Sequence, residues 1–361
     1  MTSPGGSHPR VDEEAVVVTS ISEPTAALRA LAAGCRRSGR RMIVVGDERT
    51  PSGMDSLDAE FWSLSRQQKL GLRFARSCPT GTYARKNIGY LLAIRAGSRV
   101  IRETDDDNHP RTAYWRPASR SRRVHTTSVP GWANVYSYFS STPRLWPRGF
   151  PLDELAGVQE GRWARLASKA VDAPIQQSLV DGDPDVDAVS RLVFPSRRVR
   201  FRAGEIALDR GVWCPLNSQN TSWWESAFAL LYLPVTCSFR LTDIWRGYIA
   251  QRLAWAAGWR VIFRGPTMRQ TRNPHDLLLD LEQEVPAYLG AGRFCRVLEE
   301  LKTAAGPASL EGNLRLAYRA LIEARFFEPE ELPLLDAWLG DLRELQGAGG
   351  SVRADGSFEA R

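Results

Sequence analysis

The beginning of the chain alternates between apolar runs typical of strands and periodic patterns typical of helices. The run AVVVTS, from Ala15 to Ser20, is short and rich in β-branched residues, which predicts a buried parallel strand. Ser22 and Pro24 predict a helix start, because serine is a favoured N-cap and proline fits the first turn. Gly39 predicts the end of that helix, just before a second apolar run from Met42 to Val45. The segment therefore predicts a β-α-β unit.

A second helix and a third strand are predicted further along. Residues 83–96 carry apolar side chains at helical spacing, and Gly97 follows as the predicted C-cap. The chain then enters SRVIRETDDDN, a strand pattern that ends in three aspartates, Asp105 to Asp107. Strands alternating with helices predict an α/β fold, a Rossmann-like mixed sheet with helices on both faces. Ligands of such sheets bind at the carboxyl ends of the strands, where these aspartates lie.

The middle of the chain is less regular. Residues 110–212 are rich in Arg, Pro, Ser and aromatic residues, with scattered helix signals such as Leu155 to Ala170, so we predict long loops and an acceptor-side insertion. Regularity returns with two predicted helices, Trp223 to Leu233 and Ile244 to Ala257, and a predicted strand from Trp259 to Phe263.

These patterns also predict the domain organisation. We expect one sheet domain over residues 14–275, followed by a region of mainly amphipathic helices over residues 276–347. The polar tails, residues 1–13 and 348–361, are predicted to be disordered.

Composition excludes several classes of protein. With 43% hydrophobic and 25% charged residues among 361, the chain is typical of a globular protein rather than a disordered or fibrous one. A net charge of +7 leaves an anionic ligand or a peripheral membrane contact open, but no nucleic-acid-binding motif accompanies it. The five cysteines are scattered and odd in number, which indicates a reducing compartment. Because no apolar run approaches the ~18 residues of a membrane span, we predict a cytoplasmic protein.

The aspartates Asp105, Asp106 and Asp107 are the strongest candidate for a ligand site. Adjacent carboxylates repel one another, so such a cluster is tolerated where water or a divalent cation neutralises it. Mg²⁺ or Mn²⁺ bridging a diphosphate is the natural occupant, although solvated turns also collect aspartates. Arg85 and Lys86 stand at the start of the preceding helix, where side chains and backbone N–H groups favour phosphate.

Two further residues extend this hypothesis. Asp243 lies at the head of a predicted helix, where it either caps the helix or accepts a proton from an acceptor hydroxyl. Attack on an anomeric carbon requires an activated hydroxyl on one side and a neutralised diphosphate on the other, so the two acidic sites must be distinct. His275 is either a third metal ligand or a surface residue of a loop.

Six segments occur in an order that is similar to a known family. They are IVVGDERTP (43–51), YARKNIGYLLAIRAGSRVIRETDDDNHP (83–110), LWPRGFPLDEL (145–155), IQQSLVDGDPDVDAVSRL (175–192), CPLNSQNTSWWESAF (214–228) and LTDIWRGYIAQRL (241–253). Together they resemble the STELLO family of plant glycosyltransferase-like proteins over residues 40–300. The RGFPL, DPDVDA and TDIWRGY segments are also distantly similar to reversibly glycosylated polypeptides, the UDP-arabinopyranose mutases.

The resemblance implies a GT-A fold, the fold of nucleotide-diphospho-sugar transferases, and UDP-sugar chemistry with a metal at the aspartates. It also implies that Asp243 faces the acceptor. Arg148 is the position nearest to the glycosylated arginine of the mutases, in a different flanking sequence. Plant STELLO proteins resemble anchored Golgi proteins, and because the sequence shows no such apolar segment we do not expect that location.

The candidate site residues fall into three groups. They are the metal ligands Asp105, Asp107 and His275, the catalytic groups Asp243 and Arg246, and the nucleotide-sugar contacts Thr19, Asp47, Arg49, Arg85, Lys86, Asn87, Asp105, Asp106, Arg148, Asn217 and Trp245.

The first functional hypothesis is transfer of a sugar from a UDP-sugar, held with Mn²⁺ or Mg²⁺, to a saccharide, lipid or protein acceptor. A UDP-sugar mutase or self-glycosylating protein is an alternative that uses the same site. A third hypothesis is a scaffold protein that binds a nucleotide sugar without turnover. The sequence leaves the sugar, the acceptor and the oligomeric state open.

Overall fold

The computed structural model describes residues 10–157, 166–195, 198–273 and 275–347. The tails predicted to be disordered lie outside these ranges, apart from residues 10–13, of which Val11–Glu13 form a short 3-10 helix. The strands are β1 Glu14–Thr19, β2 Arg41–Val45, β3 Glu60–Trp62, β4 Val100–Thr104, β5 Asn108–Pro110, β6 Ser121–Thr127, β7 Gly131–Trp132, β8 Ala167–Asp172, β9 Ile175–Gly182, β10 Glu205–Leu208, β11 Val212–Trp213, β12 Asn220–Trp224 and β13 Val261–Gln270. The helices are α1 Ala26–Ser38, α2 Leu64–Gln68, α3 Arg73–Ser77, α4 Lys86–Arg95, α5 Val135–Phe139, α6 Ala188–Val193, α7 Thr242–Ala256, α8 Leu277–Glu300, α9 Leu310–Glu323 and α10 Glu331–Gly347.

One mixed sheet organises the described residues. Its strand order is β3-β2-β1-β4-β12-β9-β13-β10-β6-β8, with β5 paired to β13. The first four strands are mutually parallel, and β12 pairs antiparallel to both β4 and β9. The predicted parallel β-α-β half of the sheet is therefore confirmed, and β4 ends at the aspartates.

Helices cover both faces of the sheet because the residues of β1 alternate between two apolar clusters. Ala15 and Val17 pack in the cluster that contains α4, whereas Val16 and Val18 pack in the cluster that contains α1. Gly89 lets α4 approach closely, since a Cβ there would lie 2.6 Å from a methyl group of Val17. The predicted α/β class, a mixed sheet with helices on both faces, is confirmed.

The segment 110–212 differs from the prediction of long loops. Four of its strands, β6, β8, β9 and β10, join the main sheet, and β9 lies near its centre. Part of the predicted helix signal, residues 158–165, lies outside the described residues, and Ala167–Asp172 is an edge strand. The strands escaped prediction because β9 buries Gln176, Gln177 and Ser178, so it lacks an apolar pattern.

Two helix predictions are also corrected. The N-cap of α1 is Thr25 rather than Ser22, because the Thr25 hydroxyl accepts the backbone N–H of Leu28 at 3.0 Å. The segment Trp223 to Leu233 was predicted as a helix but is the end of β12 followed by a 3-10 helix, Glu225–Leu231. The Gly39 cap is confirmed, with φ of 69°.

The C-terminal helices share one hydrophobic cluster with the sheet. Helix α7 is buried along almost its whole length, and Trp245 of α7 stacks on Phe294 of α8 at 4.3 Å between ring centroids. Trp338 of α10 packs edge-on against Phe74 and Tyr90 near the sheet. Among the described helices, none is both long enough and apolar enough to cross a membrane.

Candidate nucleotide-sugar site

A cavity of about 610 Å³ opens at the carboxyl ends of the parallel strands. Thr19 ends β1, Asp47 follows β2 and Asp105 follows β4, and all three line the cavity. The exposed Arg49 stands on the same wall. The volume is that of a small-molecule site, and its position is the one at which open α/β sheets bind ligands.

The three aspartates point in different directions. Asp105 Oδ1 accepts hydrogen bonds from Tyr83 at 2.8 Å and from Lys86 at 3.3 Å. Asp106 Oδ2 accepts one from the Ser20 hydroxyl at 2.6 Å. Asp107 Oδ2 accepts one from the Gln270 amide at 2.8 Å, while its Oδ1 is buried without a hydrogen-bond partner among the described residues.

The electrostatics of this cluster are unfavourable without a counter-charge. Burial, and then the neighbouring carboxylates Asp105 and Asp106, raise the pKa of Asp107 to about 7. Burial also raises the pKa of Asp105, against the opposing effects of Lys86 and Tyr83. An orphaned buried carboxylate oxygen beside other carboxylates suits a hard divalent cation, which prefers oxygen ligands.

The described residues contain no preformed group of three or more His, Cys, Asp or Glu side chains that could enclose a metal. The divergent directions of the aspartates account for this. Mg²⁺ is commonly held by one or two carboxylates while water and substrate phosphates complete its shell. A cation at Asp105 and Asp107 fits that arrangement.

The basic residues at the start of α4 are turned into the protein. Lys86 is fully buried, and its Nζ donates to the Thr104 carbonyl at 2.7 Å and to Asp105. Arg85 borders the cavity, but its guanidinium donates to Gln67 and to the carbonyls of Cys78 and Pro79. In this state both side chains shape the acidic wall.

Asn87 lies away from the cavity. Its side-chain amide exchanges two 2.9 Å hydrogen bonds with the backbone of Leu233, which ties α4 to the segment beyond β12.

Opposite the aspartates, Arg148 joins two buried carboxylates. Its Nε and Nη2 donate to the two oxygens of Asp185 at 2.8 Å, and its Nη2 also reaches Asp243 at 3.0 Å. Although burial opposes ionisation, Arg148 lowers the pKa of Asp185 to about 2 and holds the pKa of Asp243 below its ordinary value. All three residues line the cavity.

This ion-pair cluster interlocks three of the segments that carry the family resemblance. Arg148 belongs to RGFPL, Asp185 to DPDVDA and Asp243 to TDIWRGY. A second contact joins the first two segments, because the Trp146 indole donates to Asp187 at 2.6 Å. Asp187 also caps α6 by accepting the N–H of Ser190.

Asp243 occupies the first turn of α7 and also binds Ser218. The N–H and hydroxyl of Ser218 donate to Asp243 Oδ2 at 3.1 and 3.2 Å. One turn further along the helix, Gly247 permits this contact, since a Cβ there would lie 2.0 Å from the Leu216 carbonyl. The glycine therefore lets the 216–219 loop lie directly on α7.

Three other candidates lie behind the cavity wall rather than on it. Arg246 makes a bidentate, fully buried pair with Glu103 at 2.7 and 2.8 Å. Trp245 belongs to the aromatic core between α7 and α8. Asn217 donates to Asp185 at 2.7 Å and so supports the Arg148 cluster.

His275 borders the cavity but is paired with another carboxylate. Its Nδ1 lies 3.2 Å from Asp280 of α8, which also accepts from Arg272 at 3.1 Å. The neighbouring Glu284 accepts two hydrogen bonds from Arg240, at 2.7 and 3.0 Å. The Arg240 carbonyl in turn accepts Arg148 Nη1, so α8 supports the ion-pair cluster indirectly.

Sequence reasoning missed Tyr83, Asp185 and Gln270 as site residues. The first two lie inside the segments quoted for the family resemblance, which is the signal that points to them. Gln270 ends β13, and only the strand order brings it beside Asp107.

The fold and the cavity define a class: an α/β protein with an acidic ligand site at the ends of its parallel strands. Within that class, the STELLO glycosyltransferase family model matches residues 240–350. Two relatives from Arabidopsis thaliana, Probable glycosyltransferase STELLO1 and Probable glycosyltransferase STELLO2, are each 28% identical over 349 residues, covering 91% of this chain and 44% of the relative. A crystal structure of a mycobacterial protein shows a TM-score of 0.41 at 9% identity, covering 77% of this chain and 74% of that one.

The predicted resemblance to the STELLO glycosyltransferases is thereby confirmed, by the family model over residues 240–350 and by the similarity to both relatives. The chain spans less than half the length of these two relatives, 44% of each. The more distant similarity to the mutases stays a prediction.

Proposed function

We propose that this chain is a glycosyltransferase of the GT-A type that binds a nucleotide sugar, a UDP-sugar in the first instance, with Mn²⁺ or Mg²⁺. The observation that carries the proposal is the buried, unpaired oxygen of Asp107 beside Asp105, at the strand ends that form the cavity. The relation to proteins named probable glycosyltransferases supports the reaction class.

The donor side is assigned to the wall at the ends of β1, β2 and β4. Asp105 and Asp107 would hold the cation, which supplies the positive charge that neutralises a diphosphate leaving group. Thr82 and Tyr83 line the cavity at the start of the α4 segment, beside the proposed cation. Thr19, Asp47 and Arg49 face the remainder of the nucleotide sugar.

The acceptor side is assigned to the Arg148, Asp185 and Asp243 cluster. The lowered pKa of Asp243 makes it a weak base, so we assign it a late role, in which it accepts the hydroxyl proton as the new bond to the anomeric carbon forms. Arg148 fixes the orientation of this carboxylate. Because Arg148 already donates to two carboxylates, the geometry favours a positioning role for it over self-glycosylation.

The first experiment measures binding of UDP by calorimetry, with Mn²⁺ and with EDTA. We expect affinity to require the cation, and Asp105→Asn or Asp107→Asn to remove most of the cation-dependent affinity while circular dichroism stays unchanged. Asp58→Asn is the matched control, because Asp58 is exposed and its ion pair within the described part of the chain is with the exposed Arg36. Equal UDP affinity in EDTA would refute the cation site.

The second experiment identifies the donor. A thermal-shift panel of UDP-, GDP-, dTDP- and CMP-sugars with Mn²⁺ should single out one nucleotide, since a ligand at 100 times its Kd adds about 2.7 kcal/mol of stability. UDP release with acceptor extracts then tests turnover. Binding without release, with any extract, would favour the scaffold reading.

A further inference from the structure

Two hydroxyl groups join the donor side of the cavity to the acceptor side. The Tyr83 hydroxyl lies 2.8 Å from Asp105 Oδ1 and 2.6 Å from the Ser218 hydroxyl. The Ser218 hydroxyl lies 3.2 Å from Asp243 Oδ2. An unbroken series of three contacts therefore runs from the end of β4 to the first turn of α7.

These three contacts share only two protons. Where Asp105 and Asp243 are ionised, they accept but do not donate, so every proton must come from Tyr83 or Ser218. If Tyr83 donates to Asp105 while Ser218 donates to Asp243, no proton lies in the 2.6 Å contact between the two hydroxyl oxygens. A hydrogen bond forms between the two hydroxyl groups only when one of them stops donating to its carboxylate and donates to the other hydroxyl instead.

The neighbouring groups do not change this proton count. Lys86 donates to the Tyr83 hydroxyl at 2.7 Å and so occupies one of its acceptor positions. Burial, with the charges of Asp105 and Asp243, holds the pKa of Tyr83 well above its ordinary value, so the phenol keeps its proton.

We propose that Tyr83 and Ser218 form a relay. In this relay, a cation bound to Asp105 determines whether the Ser218 hydroxyl donates its hydrogen bond to Asp243. With Asp105 free, Tyr83 donates to Asp105 and Ser218 donates to Tyr83. With a cation on Asp105, Tyr83 donates to Ser218, and Ser218 donates to Asp243. The relay rests on the proposed function, since binding of the cation to Asp105 is what breaks the hydrogen bond from Tyr83.

The functional consequence is an order of binding. The Asp243 carboxylate gains its last hydrogen bond only after the donor side is filled, so the acceptor side becomes fully ordered after the cation and the nucleotide sugar have bound. Tyr83 and Ser218 are positioning residues in this scheme, because they act through the two aspartates.

The test is a titration with Mg²⁺ alone, followed by the tyrosine signal in ultraviolet resonance Raman difference spectra. This signal distinguishes strong from weak hydrogen-bond donation by a phenol. In the wild type we expect Mg²⁺ to weaken the donation by one tyrosine, and Tyr83→Phe to remove that change. Tyr288→Phe is the matched control, because Tyr288 donates to a carboxylate, Glu284, at 2.6 Å without lining the cavity.

Ser218→Ala decides the matter, because this variant leaves Tyr83 with no acceptor but Asp105 along the relay. We expect calorimetry to show that Mg²⁺ still binds to this variant, while the donation by Tyr83 is lost rather than weakened, because the cation occupies Asp105 and the relay offers no second acceptor. Ser218→Thr keeps a hydroxyl and should restore the smaller wild-type change, which separates the relay from a general effect on packing. The same signal change in Ser218→Ala as in the wild type would overturn the proposal.

A second comparison needs no cation. In Asp105→Ala the phenol can donate only to Ser218 along the relay, so adding Ser218→Ala should alter the tyrosine signal again. An unaltered signal overturns the relay. If the wild type binds no Mg²⁺, the cation site of the proposed function fails, and this metal-free pair alone decides the relay.

Discussion

The burial of Asp107 leads to a testable prediction about stability: Asp107→Asn should stabilise the cation-free protein above neutral pH. The carboxyl is 8% exposed, one of its oxygens has no partner, and Asp105 and Asp106 stand beside it. An amide of the same shape carries no charge, so it avoids both the desolvation and the repulsion.

The pKa of Asp107 gives the sign and the size of this effect. Because folding raises the pKa from 3.8 to about 7, stability from this group is complete below pH 3.8 and is lost as pH rises through about 7. At about 1.36 kcal/mol per pKa unit, the loss of stability is between about 4 and 5 kcal/mol, which is the upper bound on what the amide can recover.

The assay is urea unfolding followed by tryptophan fluorescence in EDTA, at pH 5 and pH 8. We expect Asp107→Asn to exceed the wild type by at least about 1 kcal/mol at pH 8 and by much less at pH 5. The exposed Asp58→Asn should change stability by less than about 0.5 kcal/mol at either pH. An Asp107→Asn variant without a pH-dependent gain would refute the reasoning that the site stores electrostatic strain.

Three other variants test the rest of the site. Asp243→Asn should keep donor affinity, lower the melting temperature because an amide replaces the buried carboxylate that pairs with Arg148, and slow UDP release by ~10²-fold, the scale of a lost general base; normal release would remove Asp243 from the mechanism. Arg246→Met should cost about 3 to 5 kcal/mol in urea unfolding, because it leaves Glu103 buried and unpaired, and adding Glu103→Gln should recover part of that loss. Gly247→Ala should cost about 1 to 3 kcal/mol and weaken turnover more than donor binding, since its Cβ pushes against the Leu216 carbonyl; unchanged melting and turnover would contradict this.

The sequence predicted the parallel half of the sheet because its strands are buried on both faces and therefore read as apolar runs. Val16 to Val18 and Met42 to Val45 show this pattern. Strand β4 is also buried but carries Arg102 and Glu103, and the aspartates follow directly after it. The acidic wall of the cavity was accordingly visible in the sequence. Metal ligation and donor contacts by these residues remain predictions.

Strands β8 and β9, in the other half of the sheet, were not predicted, because they do not form apolar runs. Strand β9 buries polar side chains that have partners in distant segments: Gln177 accepts the N–H of Asn217, and Gln176 donates to the carbonyl of Ser119. Strand β8 is an exposed edge and carries little apolar signal. No local pattern predicts that Lys86 donates a hydrogen bond to Asp105, because that contact depends on how α4 packs against β4.

The support that α8 gives to the Arg148 cluster has a consequence for the cooperativity of the molecule. Glu284 holds Arg240, and the Arg240 carbonyl holds Arg148, so a ligand that orders the cavity also stabilises α8. Amide hydrogens of α8 should then exchange with solvent more slowly in the ligand-bound protein, although most of that helix lies outside the cavity. The sheet domain and the C-terminal helices would thus open to solvent as one cooperative unit, and a protease acting on the open form would cleave both regions more slowly once the cavity is filled.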